Sequence, residues 1–578
     1  MLATETQRQA TATRTRLSLF SIGLPIVVLL AAGLRLWSID FGLPLVTHPD
    51  EPLIFDAADR MISGRTLNPG WFRYPAFIID IQAIILTIVY TLDKAIGLSP
   101  DTIRSLGYGT GRVVMASFGI ATVALTGLVG RRLARRTLAT GEPRQAERLA
   151  SVAGLVAAVM LAVSFIHIKD SHYLKPDIPT GFFTTLTLWF TLVAWERARE
   201  PHPNPSPTGR GLRNEIQKPL PAGEELGWGF LAAGAAVGLA AAAKYTGAVV
   251  AIVPIVALWL LLREQRVSMK QAARIAVRMA VVSIAVFLLI NPYVLLAPGE
   301  FLSPVDGIRA ELEHYRTGHD GAEGNDSWRW YLAELWRNGF GPTLTPLVLL
   351  GGVMAVRQLV VDRQKEQDER SGSQALWLVL VFLPVYYAMI ARYPVRFDRQ
   401  LIPILPYLAL LGGFGVAASL ALLDRADRTR LVTGTVAVLL LVGVLATPLT
   451  IRAADWNIET GKPDTRYVAL KWIEEHVPPG ATIIREWHTP PVAQVGYGDI
   501  FIRAAYEQPL DWYRASGAEY LVISSFMYAR YLDAPETYPT EAAFYVRLFA
   551  IPPAATFDGA NGPELYIYRL DDAAPAFE

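Results

Sequence analysis

The chain has 578 residues, of which 52% are hydrophobic and only 18% charged, with a net charge of +1 and a mean hydropathy of +0.30. That is too apolar for an ordinary soluble domain, and a charge so near zero offers no footing for a nucleic acid. With no cysteine in the chain, disulfides and thiolate metal sites are excluded.

Arg8, Arg14 and Arg16 precede the apolar run 17–37. This run is too long for a signal-peptide core and lacks a small-residue cleavage site, so it reads as an uncleaved first span behind a cytoplasmic tail, 1–16. Further spans are predicted at about 112–130, 150–166, 178–196, 227–243, 247–262, 274–291, 340–360, 375–391, 401–423 and 431–450. Basic residues concentrate in cytoplasmic connections. With the N-terminus inside, the clusters at 131–136, 197–218, 263–278, 363–370 and 425–430 all fall on that face, provided that the apolar stretch 76–92 does not cross. That stretch is therefore expected to lie on or dip into the outer leaflet, which leaves eleven spans and a large outer loop, about 38–111.

The segment from about 200 to 226 opens Pro201-His202-Pro203-Asn204-Pro205 and reads as a flexible cytoplasmic linker. A second long outer loop, about 292–339, carries Glu311, His314, Tyr315, His319, Trp328 and Trp330, as an ordered interfacial lid would. Residues 451–578 alternate short helical and strand patterns, with strands expected near 482–484, 520–523 and 565–568. They form a small α/β domain facing outward, beyond a membrane catalytic region of 17–450.

Ionisable residues beside apolar spans are functional candidates by default, and four groups share the outer face. Asp50 and Glu51 follow His48 and Pro49; they suit both a helix's first turn and acid–base work. Asp170, His172 and Asp177 sit in a short connection crowded with charge, which a solvated turn would also explain. Lys244 and Tyr245 stand between two Ala-rich spans, where a lysine can simply snorkel. Arg392, Arg396 and Arg399 share one outer loop, against the charge rule, and the guanidinium fork suits phosphate oxygens. Carboxylates able to take a proton, set beside cations and greasy helices, point to chemistry on a lipid phosphate.

Taken in order, Arg35, His48-Pro49-Asp50-Glu51, Asp170-Ser171-His172-Tyr173 with Asp177, Lys244-Tyr245-Thr246-Gly247 and Arg396-Phe397-Asp398-Arg399 resemble the GT-C fold membrane glycosyltransferases. The similarity is to bacterial relatives of the protein O-mannosyltransferases (glycosyltransferase family 39, PMT-like) and of the lipid A aminoarabinose transferase, over about residues 25–415. The resemblance implies a polytopic α-helical core of about eleven helices with interfacial helices in the first outer loop. It implies transfer of a sugar from a polyprenyl-phosphate donor to a protein, lipid or glycan acceptor at the outer face of the cytoplasmic membrane, with inversion. Asp50 would be the general base, with Glu51 orienting it or the acceptor. His48, Asp170, His172 and Asp177 would line the sugar or acceptor side, while Lys244, Tyr245, Arg392, Arg396 and Arg399 would hold the donor phosphate. A divalent metal is left open, because no ligand spacing marks a site. The competing class is a transporter or lipid flippase, which would show internal repeats and midplane charges; neither is found.

Overall fold

The computed structural model describes residues 18–46, 48–138, 142–199, 222–317, 326–363, 372–423, 428–559 and 561–573. The N-terminal tail, Thr47, His319 and most of the proline-rich linker lie outside the described residues. Among the described residues, ten helices are long and apolar enough to cross a membrane: Leu19–Leu36, Pro100–Thr137, Pro143–Ala162, Asp177–Arg197, Tyr245–Arg263, Met269–Ile290, Gly341–Asp362, Ser373–Ala391, Asp398–Leu423 and Thr433–His476. A shorter apolar helix, Gly227–Ala243, supplies the eleventh expected segment.

The segment Asp398–Leu423 is the bundle's buried centre. In it the helix Leu405–Leu423 crosses Gly341–Arg363 so closely that a Cβ on Gly415 would lie 2.6 Å from the Cα of Gly351. Small residues at such a crossing let backbones meet, which is how helices associate where lipid removes the hydrophobic incentive. At the periphery, Met269–Ile290 leaves Val277, Val281, Ile284 and Leu289 exposed, a face suited to acyl chains.

The first outer loop folds into two helices, Asp50–Ser63 and Phe77–Ile96. On the former, Ile54, Ala57, Ala58 and Met61 recur every three or four residues and bury against the latter. Phe77–Ile96 carries Asp80, Asp93 and Lys94 and is not among the ten spanning candidates. Burial pushes the Asp80 carboxyl up to about 7. In the second outer loop, Ile308–Thr317 and Ser327–Glu334 are helical.

The last span does not stop near 450 but runs on as one helix, Arg428–Thr460. Its outer end is tied back to the first span, where Asn457 Nδ2 donates to the Leu34 carbonyl at 3.1 Å. Beyond it lies a five-stranded sheet of order β2-β1-β3-β5-β4, with β1 Thr482–Arg485, β2 Gly498–Phe501, β3 Tyr520–Ser524, β4 Ala555–Phe557 and β5 Leu565–Arg569. β1 pairs in parallel with β2 on one side and β3 on the other, while β5 runs antiparallel to β3. The chain leaves β1 toward one side and β3 toward the other, so the carboxyl ends of these two strands form a switch point of the kind where open sheets bind ligands.

Candidate active site

Pro49 is the N-cap of Asp50–Ser63 and Asp50 its first helical residue, so both acids lie in the helix's first turn, as expected. The helix N-terminus still favours both acids electrostatically, but they part company. Asp50 turns toward Arg399, with Oδ2 3.2 Å from a guanidinium nitrogen. His48 folds over the same turn, its Nδ1 accepting from the Asp50 N–H at 3.1 Å and its ring 4.6 Å from that of Tyr173. Burial raises the Asp50 pKa, but Arg399, then His48 and Lys175, outweigh it and hold the carboxyl well below the usual carboxylate range. His48 is pushed down, by burial first and then by Lys175.

Glu51 points the other way and is fully buried. Arg112 donates to both of its oxygens, Nε to Oε1 at 2.8 Å and a terminal nitrogen to Oε2 at 2.7 Å, and the Leu174 N–H adds a third bond at 2.9 Å. Arg112 also grips the carbonyls of Ile39 and Phe41. Glu51 thus joins the first outer loop to the helix Pro100–Thr137 and to the connection before Asp177, and what this geometry supports is positioning of the turn that carries Asp50.

In that connection, Lys169 pairs with Asp398, and Lys175 lies 3.4 Å from Asp170 Oδ1. Asp170 Oδ2 is buried without a hydrogen-bond partner. The helix Asp177–Arg197 starts at Asp177 despite the preceding Pro176, which is its N-cap. Asp177 and Lys244, expected in separate roles, form one buried pair at 2.6 Å. His172 faces away: Nδ1 and Nε2 lie 2.9 and 3.0 Å from the carbonyls of Ile168 and Trp37, with Trp456 and Phe41 edge-on to the ring. Both nitrogens face backbone carbonyls, one of which the neutral ring's single N–H can bond, and this geometry supports a structural role.

The arginine loop also divides. Asp398 and Arg399 are neighbours that clamp different elements, Asp398 on Lys169 and Arg399 on Asp50. Arg396 reaches Asp326 at 2.8 Å instead, and Arg392 is exposed over the Tyr393 ring. The Tyr245 hydroxyl donates to the Phe72 carbonyl at 3.0 Å. Of the five expected phosphate ligands, Lys244 and Arg399 alone line the main cavity; Tyr245, Arg392 and Arg396 do not.

That cavity, about 1210 Å³, is walled by His48, Asp50, Tyr74, Lys244 and Arg399 and, from the second outer loop, by Glu311, His314 and Tyr315. Its far wall belongs to the C-terminal domain, through Arg466, Arg485, Trp487, His488, Phe501 and Arg530. It exceeds the usual size of a single small-ligand pocket. A narrow cleft lined by Thr246, Tyr386, Met389 and Ile390 adjoins it at Lys244 and Tyr315. Among the described residues, no three His, Asp or Glu side chains group as a metal site. Sequence reading missed Arg112, Lys169 and the C-terminal arginines; the density of charge in 166–177 signalled Lys169 alone of these.

Residues 101–301 match the sequence model of the family described as PMT, Dolichyl-phosphate-mannose-protein mannosyltransferase. The match includes Asp170, Asp177 and Lys244 but neither Asp50 nor Arg399. An uncharacterized protein of Aquifex aeolicus (strain VF5) is 27% identical over 174 residues, so that the shared segment spans 30% of either chain. Among solved structures, the archaeal oligosaccharyltransferase AglB from Archaeoglobus fulgidus, in complex with an inhibitory peptide and a dolichol-phosphate, superposes with a TM-score of 0.53. The identity is 14%, over 91% of this chain and 72% of that one. ArnT from Cupriavidus metallidurans bound to undecaprenyl phosphate gives 0.51, also at 14% identity, over 95% and 97%. The protein is a multi-pass membrane protein that shares the fold of AglB and ArnT, and its residues 101–301 are similar to the PMT family.

Proposed function

We propose that the protein is a membrane glycosyltransferase that moves a sugar from a polyprenyl-phosphate-linked donor to an acceptor hydroxyl at the outer face of the cytoplasmic membrane. The observation that carries this reading is the pairing of Asp50 with Arg399 in the wall of a large cavity that also holds Lys244. Asp50 stays ionised, and a phosphate entering beside Lys244 competes for Arg399. As the guanidinium shifts onto the phosphate, the Asp50 carboxylate loses its counter-charge and becomes a better base. The acceptor oxygen then attacks C1 of the sugar, the bond from C1 to the phosphate oxygen breaks, the acceptor proton passes to Asp50, and the lipid phosphate leaves with its electron pair held by Arg399 and Lys244. A direct displacement of this kind inverts the anomeric carbon.

Polyprenyl-phosphate recognition in AglB and ArnT, which share the fold, supports a lipid-linked donor. The outer-face assignment rests on charge placement, since Arg131, Arg132, Arg135 and Arg136 cluster at the opposite end of their helix from the Asp50 wall. Asp50→Asn should lower transfer from a polyprenyl-phosphate sugar by on the order of 100-fold or more while donor binding persists. Transfer at the parental rate would remove Asp50 from the chemistry.

A further inference from the structure

The wall contributed by the C-terminal domain is not explained by donor binding or by Asp50. It is built at the carboxyl ends of β1 and β3, the switch point of the sheet. From β1 comes Arg485, from the loop after it Trp487 and His488, and from the helix after β3 Arg530, whose guanidinium lies 3.4 Å from His488 Nε2. The loop that presents them is held unusually firmly. Glu486 is fully buried, accepts from the Ala505 and Ser524 N–H groups at 2.6 and 3.2 Å, and is bonded by the Tyr545 hydroxyl. His488 has a φ of +66°, a left-handed conformation that costs a residue with a Cβ. Strain of this sort, fixed by its surroundings, marks sites where a side chain must be aimed.

The chemistry of the wall separates the ligands it could take. Two of its arginines are charge-compensated: Arg485 is bidentate to Asp499 at 2.7 and 2.8 Å, and Arg466 is bidentate to Asp464 at 2.8 Å for each bond. These two guanidiniums, rather than their carboxylates, line the cavity, and with their charge offset from behind, their remaining N–H groups suit hydroxyl oxygens. Beside them stands Trp487, 37% exposed, lining the cavity with no aromatic ring or cation stacked on it among the described residues. Phe501, by contrast, carries the Arg485 guanidinium 4.5 Å from its ring centre. A bare aromatic face flanked by charge-offset N–H donors matches a sugar ring, which has apolar C–H faces and a hydroxyl edge.

We propose that the C-terminal domain is the acceptor-binding wall and that the acceptor is a saccharide, stacked on Trp487 with its hydroxyl edge on the Arg485 and Arg466 guanidiniums. This rests on the reading of the cavity as a glycosyl-transfer site. A further hydroxyl of that saccharide, directed at Asp50, is the group glycosylated: its oxygen bonds to C1 of the donor sugar, its proton goes to Asp50, and the lipid phosphate is released. The product is a glycan longer by one sugar.

The test uses the full-length protein in lipid nanodiscs, with no donor present, so that its outcome does not depend on transfer. Short free oligosaccharides, neutral and uronic-acid-containing, are offered in saturation-transfer NMR and calorimetry alongside a Ser/Thr-rich peptide and a phosphorylated lipid headgroup. The neutral saccharides should bind, Trp487→Ala should weaken them by roughly tenfold or more, and Trp487→Phe should restore most of the affinity. An unaltered unfolding midpoint in Trp487→Ala shows that the variant is folded. Absence of saccharide binding, binding indifferent to Trp487→Ala, or Trp487-dependent binding of the peptide or the phosphorylated headgroup alone would each overturn the assignment. Failure of transfer activity in a separate assay with donor would instead count against the glycosyltransferase reading.

Discussion

Glu51→Gln separates a chemical role for the second acid from a positional one. Glu51 and Arg112 are both fully buried, and their side chains meet in two short, parallel bonds. In the variant one carboxylate oxygen becomes an amide N–H₂ that must face an arginine donor. One charge-assisted bond is lost, at about 1.5–3 kcal/mol, and the guanidinium is left without its counter-charge in a site that water does not reach. Breaking a buried pair from one side costs about 3–5 kcal/mol, more than a 100-fold change in the folded ratio at the lower figure. Glu51→Gln should therefore lower the unfolding midpoint sharply in detergent, and Glu51→Leu combined with Arg112→Met should recover only the share due to the orphan charge, because the Leu174 N–H and the Ile39 and Phe41 carbonyls lose their partners as well. Transfer by Glu51→Gln, measured well below its unfolding temperature and normalised to folded protein, should fall far less than by Asp50→Asn. Unchanged stability with abolished transfer would refute the reasoning and make Glu51 a reacting group.

Other expectations follow from the same geometry. Arg399→Gln should weaken polyprenyl-phosphate binding by about tenfold or more, read by calorimetry, because a charge-assisted phosphate contact contributes about 1.5–3 kcal/mol; undiminished affinity would move the phosphate site elsewhere. His172→Ala should lower thermal stability by about 1–3 kcal/mol without altering the KM for donor, since the ring donates to a backbone carbonyl and packs on Trp456. Burial pushes Glu486 up to about 7, against the hydrogen bonds from Tyr545, Ala505 and Ser524, from an ordinary value of 4.5. The folded state then holds the proton more tightly than the unfolded one. This stabilisation is complete below pH 4.5 and is lost as pH rises through about 7, on the order of 3 kcal/mol in all. Hydrogen exchange of β1 and β3 in the whole protein should show that decline, and Glu486→Gln should flatten it.

The spans were legible because bilayer thickness imposes a length and a composition that single sequences display, as Leu19–Leu36 and Met269–Ile290 do. The charge rule likewise accounted for eleven apolar segments without a structure. In the C-terminal domain, β1, β3 and β5 were readable as short apolar runs, whereas β2, with its Asp499, and β4, three residues long, were not. The site itself was only half visible. Charge density marked Asp50, Lys244 and the 392–399 loop, but which arginine faces which acid is decided by contacts between residues far apart in sequence, 61 for Arg112 with Glu51 and 229 for Lys169 with Asp398. Arg392, Arg396 and Arg399 look equivalent in the sequence; the short helical segment that begins at Asp398 turns Arg399 alone toward Asp50.

The far wall of the cavity is made of residues between Arg466 and Arg530, whereas Asp50 is among the earliest residues to leave the ribosome. Helices enter the bilayer in the order of their synthesis, so the membrane core takes shape while the chamber still lacks a side. A chain at that stage exposes its acid and its arginine to bulk water on that side. Completion of the sheet is what closes the chamber. Premature termination after Thr460 would leave an inserted core whose chamber lacks that wall.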